Sequence, residues 1–258
     1  MRALLAAVAA LAGAPAPDVR WQAPALRSGE WGFTCFRIPT LLALPPAPSH
    51  LLLLAEGRGL RPPRMCSDHG DVVIVQKRST SAGRTWSNLS VIVDEYSPER
   101  KGDSPEFCCK GRPGCKGCST GNPAPIWDVA TGRVLLLYAR DNMDIFLTTS
   151  TDMGVSYSAP TNLSATLTPP LPPGFAAPGP PGGLRLAGGR LVQASYVIGH
   201  GSFALYSDNG GARWRAGLVV PNRAALSEAL RAGVKAGACR SDFEDHCKGH
   251  VADLGRAM

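Results

Sequence analysis

The sequence predicts an all-β fold of the β-propeller type, built from repeated antiparallel hairpins. Two observations lead to this prediction. Short apolar or β-branched runs alternate with turn residues along most of the chain, and one turn motif occurs three times. The 29 glycines and 23 prolines favour many turns over long helices. No helical periodicity stands out before Asn222.

Seven runs rich in apolar and β-branched residues are the expected strands. Pro45-Pro46, Gly83, Gly154 and similar turn residues separate them. The expected strands are Thr40–Leu44, Leu51–Ala55, Val72–Arg78, Arg133–Ala139, Ile145–Ser150, Arg190–Tyr196 and Phe203–Ser207.

The repeated turn motif follows three of these strands, and we call its copies turn boxes: Ser79–Trp86, Ser150–Tyr157 and Ser207–Trp214. Each box has Ser first, a short polar residue at the third position, Gly at the fifth and an aromatic residue at the eighth. The polar side chain can accept hydrogen bonds from turn amides, and the Gly tolerates a positive φ. The aromatic residue can pack beneath the hairpin. Widely spaced copies of one hairpin motif predict propeller blades separated by insertions.

The N-terminus has the pattern of a secretory signal peptide. A basic start at Met1-Arg2 precedes the apolar run Ala3–Leu11, and small residues follow. We therefore expect residues 1–16 to be a signal peptide and the protein to be secreted or to lie in the lysosomal or endomembrane lumen. A disordered Ala-rich leader is the alternative. The apolar run is too short to span a bilayer, and no later segment has the composition of a membrane helix.

Glycosylation acceptors and cysteines agree with export. Asn88 and Asn162 each begin an Asn-Leu-Ser acceptor triplet. The chain has 8 cysteines, which would pair in an oxidising compartment. Four of them lie in one loop, where we expect disulfides and where a zinc knuckle is the alternative: Cys108, Cys109, Cys115 and Cys118.

The formal net charge of +7 comes from scattered residues without an aromatic-rich basic stripe. This distribution argues against a nucleic-acid partner and favours an acidic, saccharide-like one. Residues 165–189 are rich in Pro and Gly, and we expect an ordered loop between blades, with a flexible linker as the alternative.

The pattern changes after Pro221. Residues 222–237 read as a short Ala-rich helix, with Asn222 as its cap. Residues 240–258 contain neither a strand pattern nor a turn box. Their acidic, His and Cys residues are more typical of a solvated tail than of a metal site. We therefore expect a propeller domain at residues 17–221 and a divergent tail at residues 222–258.

The tetrapeptide Phe36-Arg37-Ile38-Pro39, followed by the turn boxes, resembles the sialidase (neuraminidase) family. The resemblance covers residues 31–221 and is closest to the exo-α-sialidases of bacteria and lysosomes. Further matching segments are Ala55–Arg58, Asp68–Asp71, Gly121–Pro125, Thr131–Arg133, Pro178–Pro180 and Gly189–Val192.

This resemblance implies a six-bladed type of β-propeller with Asp-boxes, of which the chain would hold about three to four blades. It also implies a retaining glycoside hydrolase that removes terminal sialic acid from glycoproteins, gangliosides and oligosaccharides. No metal and no organic cofactor is implied.

The resemblance assigns the two central residues of the site. Arg37 matches the first of three arginines that bind the carboxylate of sialic acid, for which a guanidinium has the required bidentate geometry. Asp68 matches the acid/base aspartate that protonates the leaving oxygen and then activates water. Asp71, three residues later, is the alternative.

Three further residues line the site in this comparison. Arg58 resembles a secondary substrate arginine. Asn122 and Tyr196 resemble positions that line the pocket for the N-acetyl and glycerol arms of the sugar. Buried structural positions at strand ends are the alternative for Asn122 and Tyr196.

The chain departs from the family pattern after Pro221. Sialidases use a tyrosine nucleophile, which a nearby Glu activates. We find no match in this chain for that Tyr, for the Glu or for the second and third arginines. Two interpretations therefore stay open: an exo-α-sialidase-like hydrolase whose chain is a fragment or has an altered reading frame, and a catalytically inactive sialoglycan-binding or structural propeller.

Overall fold

A computed structural model describes residues 23–45, 47–62, 64–68, 70–95 and 119–221. Regular structure in these residues is β-strand, apart from one 3-10 turn at Glu30–Gly32. Among the described residues, no helix has the length and apolar character needed to cross a membrane. The predicted signal peptide, the loop with four cysteines and the predicted tail lie outside the described residues.

The first sheet is antiparallel and has four strands in sequence order. They are β1 (Cys35–Leu44), β2 (Ala47–Arg58), β3 (Val72–Ser79) and β4 (Ser90–Val93). Each strand pairs with the next one along the chain, so the sheet is a simple meander.

The second sheet repeats this arrangement. Its strands are β5 (Thr120–Asp128), β6 (Arg133–Arg140), β7 (Asp144–Ser150) and β8 (Thr161–Asn162). All three pairings are antiparallel.

The third sheet has six strands, because its first and last positions are each divided in two. The strands β9 and β10 both pair with β11, and β13 and β14 both pair with β12. Their bounds are β9 (Ala176–Pro178), β10 (Leu184–Arg185), β11 (Leu191–Val197), β12 (Gly201–Ser207), β13 (Arg215–Ala216) and β14 (Val220–Pro221).

All seven predicted strands are confirmed as β1, β2, β3, β6, β7, β11 and β12. Strand β5 was not predicted, because Pro123 and Pro125 interrupt its apolar pattern. Strand β5 lies at the edge of the second sheet, where a residue without an N–H group is tolerated.

The second sheet is buried on both of its faces. Alternate side chains of a strand point to opposite faces, and β6 is apolar at both sets of positions. Val134, Leu136 and Tyr138 pack against the first sheet, whereas Leu135 and Leu137 pack against the third. The second sheet therefore lies between the other two, which explains the continuous apolar run in β6.

The first strands of the three sheets share an irregularity. Ile38, Asn122 and Gly179 have φ values of 51°, 55° and 66°, and each precedes a proline. The pairing register of β1 shifts around Ile38, and that of β5 shifts around Asn122. The third copy separates β9 from β10. Such bulges redirect side chains and are frequent beside functional sites, and the sequence analysis did not predict this second repeat.

The turn boxes close by two repeated hydrogen bonds. The hydroxyl of the first Ser accepts the N–H of the box Gly at 2.9, 2.8 and 2.9 Å in the three copies. The third-position side chains of Ser81, Asp152 and Asn209 each accept the N–H group four residues later, at 2.8, 2.9 and 2.8 Å. The predicted role of the polar residue in closing the turn is confirmed.

Two of the boxes also bond to the sheet that precedes them. The carbonyl oxygen of Gly154 in the second box accepts a hydrogen bond from Gln76 Nε2 of β3 at 2.7 Å. The carbonyl oxygen of Gly210 in the third box accepts one from Arg133 Nη2 of β6 at 2.8 Å. The boxes therefore join neighbouring sheets as well as closing hairpins.

Candidate active site

The loop between β2 and β3 carries Asp68, and an arginine from β2 holds its carboxylate. Arg58 Nη1 lies 2.7 Å from Asp68 Oδ1. The Arg58 side chain is 3% exposed, whereas that of Asp68 is 67% exposed. The ion pair therefore has a buried cation and a carboxylate that a ligand can reach.

A buried glutamate connects this pair to the second sheet. Arg58 Nε donates to Glu56 Oε2 at 2.8 Å, and Arg58 Nη2 contacts the same oxygen. The other carboxylate oxygen, Glu56 Oε1, accepts the N–H of Asn122 at 2.7 Å. The structure thus brings together three predicted site residues, Arg58, Asp68 and Asn122, through Glu56.

The packing around Glu56 also explains why residue 121 is a glycine. A Cβ atom on Gly121 would lie 2.5 Å from Glu56 Oε1. A glycine is therefore required where the first strand of the second sheet passes the carboxylate.

Arg37 lies on β1 directly opposite Glu56 in the strand pairing, immediately before the Ile38 bulge. Side chains of directly opposed residues project from the same face of an antiparallel pair. The Arg37 side chain is exposed, and no residue in the described part of the chain forms an ion pair with it. An exposed guanidinium without a protein partner can bind a ligand carboxylate.

Tyr196, the fifth predicted site residue, lies on β11 of the third sheet. Its ring stacks on Phe175, with ring centroids 6.2 Å apart and planes inclined by 13°. Burial, and then the nearby carboxylates of Glu56 and Asp68, raise the pKa of Tyr196 above its ordinary value. Tyr196 is therefore a neutral phenol whose charge environment includes both carboxylates.

The loop that carries Asp68 is fixed at two other points. A disulfide joins Cys66 to Cys35 of β1, with a Cα–Cα distance of 5.7 Å. Asp71 binds Arg61, with Nη1 and Oδ1 2.6 Å apart, and accepts the backbone N–H of the same residue. The Asp71 side chain is only 11% exposed, so of the two candidate aspartates Asp68 is the more accessible to a ligand.

Two residues of the site, Glu56 and Asn142, were not predicted from the sequence. Glu56 lies inside a matched segment, and a single acidic residue in an apolar strand was the signal that could have identified it. Asn142 lies in the turn between β6 and β7, and its side chain donates to the carbonyl oxygen of Asp68. No sequence motif marks it. We refer to the connected residues as the Asp68 cluster: Glu56, Arg58, Asp68, Asn122 and Asn142.

Among the described residues, no group of three or more His, Cys, Asp or Glu side chains is placed to hold a metal ion. The acidic, His and Cys residues of the tail lie outside that part of the chain. The Asp68 cluster supplies two carboxylates, one guanidinium group and two amides, and Arg37 and Tyr196 add a second guanidinium group and a phenol.

The chain is similar to known proteins over most of its length. The profile of the BNR repeat-like domain matches residues 56–247. A sialidase of Micromonospora viridifaciens is 31% identical over 244 residues, which cover 82% of this chain and 34% of that protein. Human sialidase-4 is 27% identical over 220 residues, which cover 72% of this chain and 40% of that protein.

The fold is similar to that of solved sialidases. A Hadza microbial sialidase superimposes with a TM-score of 0.58 at 21% identity, over 75% of this chain and 39% of that one. This chain spans between about a third and a half of the length of the curated relatives that it matches.

Proposed function

The chain belongs to the BNR repeat-like domain family, with sialidases as its relatives, and from this premise we propose that it carries an exo-α-sialidase-like site for terminal sialic acid. The observation that carries the proposal is the accessible Asp68 carboxylate, held by Arg58, together with Arg37, which lies opposite Glu56 in the strand pairing and forms no ion pair with the described residues. In the same proposal, the three sheets are consecutive blades of a six-bladed type of β-propeller.

Arg37 binds the carboxylate of sialic acid by two parallel hydrogen bonds, as the planar guanidinium allows. Asp68, in its protonated form, donates a proton to the glycosidic oxygen as the bond to the anomeric carbon breaks, and the resulting carboxylate takes a proton from the water that then bonds to that carbon. Arg58 orients Asp68. Asn122 and Tyr196 provide an amide and a phenol for the N-acetyl and glycerol arms. Sialylated glycoproteins, gangliosides and oligosaccharides are the substrate class.

The remaining roles of the retaining route have no match that we identify in this chain. A tyrosine nucleophile forms the covalent intermediate in that route, and two more arginines complete the binding of the carboxylate. General acid catalysis alone accelerates a reaction by about 10²–10⁴-fold, below the roughly 10⁶-fold or more that enzymes reach. We therefore expect the 258-residue chain to bind sialic acid with little or no turnover.

A binding measurement tests the proposal. N-acetylneuraminic acid is titrated into the chain and into an Arg37→Ala variant, and we expect the substitution to weaken binding at least tenfold. Arg213→Ala is the matched control, because it removes an exposed arginine from the third turn box and should leave binding unchanged. Equal affinity of the chain and the Arg37→Ala variant would overturn the proposed site.

A second candidate function is sialoglycan binding without catalysis. It is favoured by the arrangement of Arg58, whose guanidinium is already paired with Glu56 and Asp68, so that among the predicted site residues Arg37 is the cation open to a ligand. Hydrolysis of a fluorogenic sialoside separates the two functions. Turnover that is lost on Asp68→Ala supports the hydrolase, whereas binding with turnover no faster than that of Arg37→Ala supports the binding protein.

A secreted or lysosomal location is part of the proposal. The Cys35–Cys66 disulfide supports it, because disulfides persist mainly in oxidising compartments. Asn88 is exposed, as a glycosylation acceptor must be. Expression in secretory cells tests this, since Asn88→Gln should remove a mass that an N-glycosidase also removes. A chain that never carries a glycan would contradict it.

A further inference from the structure

The turn between β6 and β7 has a conformation that few residues adopt. Asp141 and Asn142 both have φ of 53°, and the N–H of Met143 donates to the carbonyl oxygen of Arg140 at 3.0 Å. Two central residues with positive φ define a type I′ turn, in which Asn, Asp and Gly are favoured. The conformation therefore restricts which residues fit at position 142.

From this turn, Asn142 bonds to the loop that carries Asp68, to the second sheet and to the third sheet. Its Nδ2 donates to the carbonyl oxygen of Asp68 at 3.0 Å, and its Oδ1 accepts from Asn122 Nδ2 at 3.4 Å. Its backbone carbonyl accepts the N–H of Ala176 in β9 at 2.9 Å. The residue is 5% exposed, so these contacts form away from competing water.

We propose that Asn142 is a positioning residue for Asp68. Arg58 holds the carboxylate of Asp68, and Asn142 holds its backbone, so the orientation of an otherwise exposed side chain is defined at two points. Catalytic groups must be held to well under 1 Å, because a misplacement of about 1 Å can reduce a rate by roughly 10²-fold. The inference rests on the proposed function, in which Asp68 is the acid.

The test is a carbon NMR spectrum of the chain labelled with ¹³C in the aspartate carboxyl groups. The Asp68 resonance is assigned by its absence in Asp68→Asn. In Asn142→Gly, which keeps the turn conformation and removes the side-chain contacts to Asp68 and Asn122, we expect the Asp68 resonance to shift or broaden. The Asp152 resonance, from the second turn box, should stay in place and shows in the same spectrum that the chain is folded.

A matched control and a second variant complete the design. Asn209→Gly removes an Asn side chain that closes the third turn box, and it should leave the Asp68 resonance unchanged. Asn142→Asp keeps the turn and the acceptor for Asn122 but removes the donor to Asp68. If Asn142→Gly does not fold, we expect Asn142→Asp to show at least fivefold faster hydrogen exchange in residues 66–71 than the parent chain. An unchanged Asp68 resonance, or unchanged exchange, would overturn the inference.

N-acetylneuraminic acid separates this inference from the proposed function. If the sugar leaves the Asp68 resonance of the parent chain unchanged while Asn142→Gly moves it, the proposed function fails and the positioning of Asp68 stands. If the sugar moves the Asp68 resonance while Asn142→Gly does not, the proposed function stands and Asn142 has no positioning role.

Discussion

The turn boxes and the Asp68 cluster lie at opposite ends of the same strands. Strand β7 begins two residues after Asn142 and ends at Ser150, the first residue of the second box. The first and third side chains of each box accept N–H groups four residues further along the chain. In the Asp68 cluster, Glu56 and Asn122 are 66 residues apart, and Asn142 and Asp68 are 74 apart.

This difference decides how much variation each region accepts. A box closes around Ser81, Asp152 or Asn209 with nearly the same N–H distance, because any short side chain with an acceptor suffices. The Asp68 cluster contains a buried carboxylate between two sheets, and its geometry depends on both. We therefore expect substitutions in the cluster to be more damaging than those in the boxes.

The largest effect is expected for Glu56→Ala. The substitution leaves the buried Arg58 guanidinium without its main partner and the Asn122 N–H without an acceptor. Removing one member of a buried ion pair typically lowers the free energy of unfolding by about 3–5 kcal/mol. Urea unfolding of the parent chain and of Glu56→Ala measures this decrease in the free energy of unfolding. The double replacement Glu56→Met with Arg58→Met leaves no unpaired buried charge, so it should lower the free energy of unfolding by less than Glu56→Ala does. A larger loss in the double variant would contradict the role of Glu56.

A smaller loss is expected for Gly121→Ala. The added Cβ would meet the Glu56 carboxylate at 2.5 Å, and overpacking of this kind costs about 1–3 kcal/mol. Gly188→Ala is the matched control, because nothing lies within 4 Å of its added Cβ. It should change the free energy of unfolding by less than about 0.5 kcal/mol. Equal unfolding curves for the two variants would show that the cluster tolerates crowding.

Ser150→Ala tests the second box. The hydroxyl accepts the N–H of Gly154 at 2.8 Å and donates to Asp152 at 2.7 Å. Loss of such a capping side chain costs about 1 kcal/mol. Thermal unfolding should show a correspondingly small decrease in Tm, below that of Glu56→Ala. A decrease as large as that of Glu56→Ala would remove the distinction between the two regions.

The smallest effect is a pH dependence of the same box. Hydrogen bonds, first from the Ser156 hydroxyl and then from backbone N–H groups, lower the pKa of Asp152 below its ordinary value of 3.8. The folded state then binds this proton less readily than the unfolded state, so the stabilisation is complete above about pH 4 and disappears as the pH falls through the folded pKa.

Asp152→Asn removes this titration. We expect the Tm difference between the parent chain and Asp152→Asn to shrink as the pH is lowered from about 6 to about 3. Arg190 lowers the pKa of Asp208, which titrates in the same direction in both proteins and therefore cancels in the comparison. A Tm difference that grows towards acid would contradict the assignment.

The contrast between the near partners of the box residues and the distant partners of the Asp68 cluster also explains what could be predicted from the sequence. The boxes and seven strands were predictable because their signals are periodic or lie within eight residues. Strand β5 was missed because Pro123 and Pro125 interrupt its pattern, and their tolerance depends on its edge position in the sheet. Resemblance indicated Arg58, Asp68 and Asn122 as members of one site. Their connection through Glu56 and Asn142 depends on contacts between sheets, which no local pattern encodes.

The bonds from each box to the sheet before it imply an order of assembly during synthesis. The second box needs Gln76 of the first sheet, and the third needs Arg133 of the second. In both cases the receiving surface leaves the ribosome before the hairpin that docks on it. Chains generally fold from the N-terminus as they are made. Each new hairpin therefore docks on a sheet whose residues have already been synthesised.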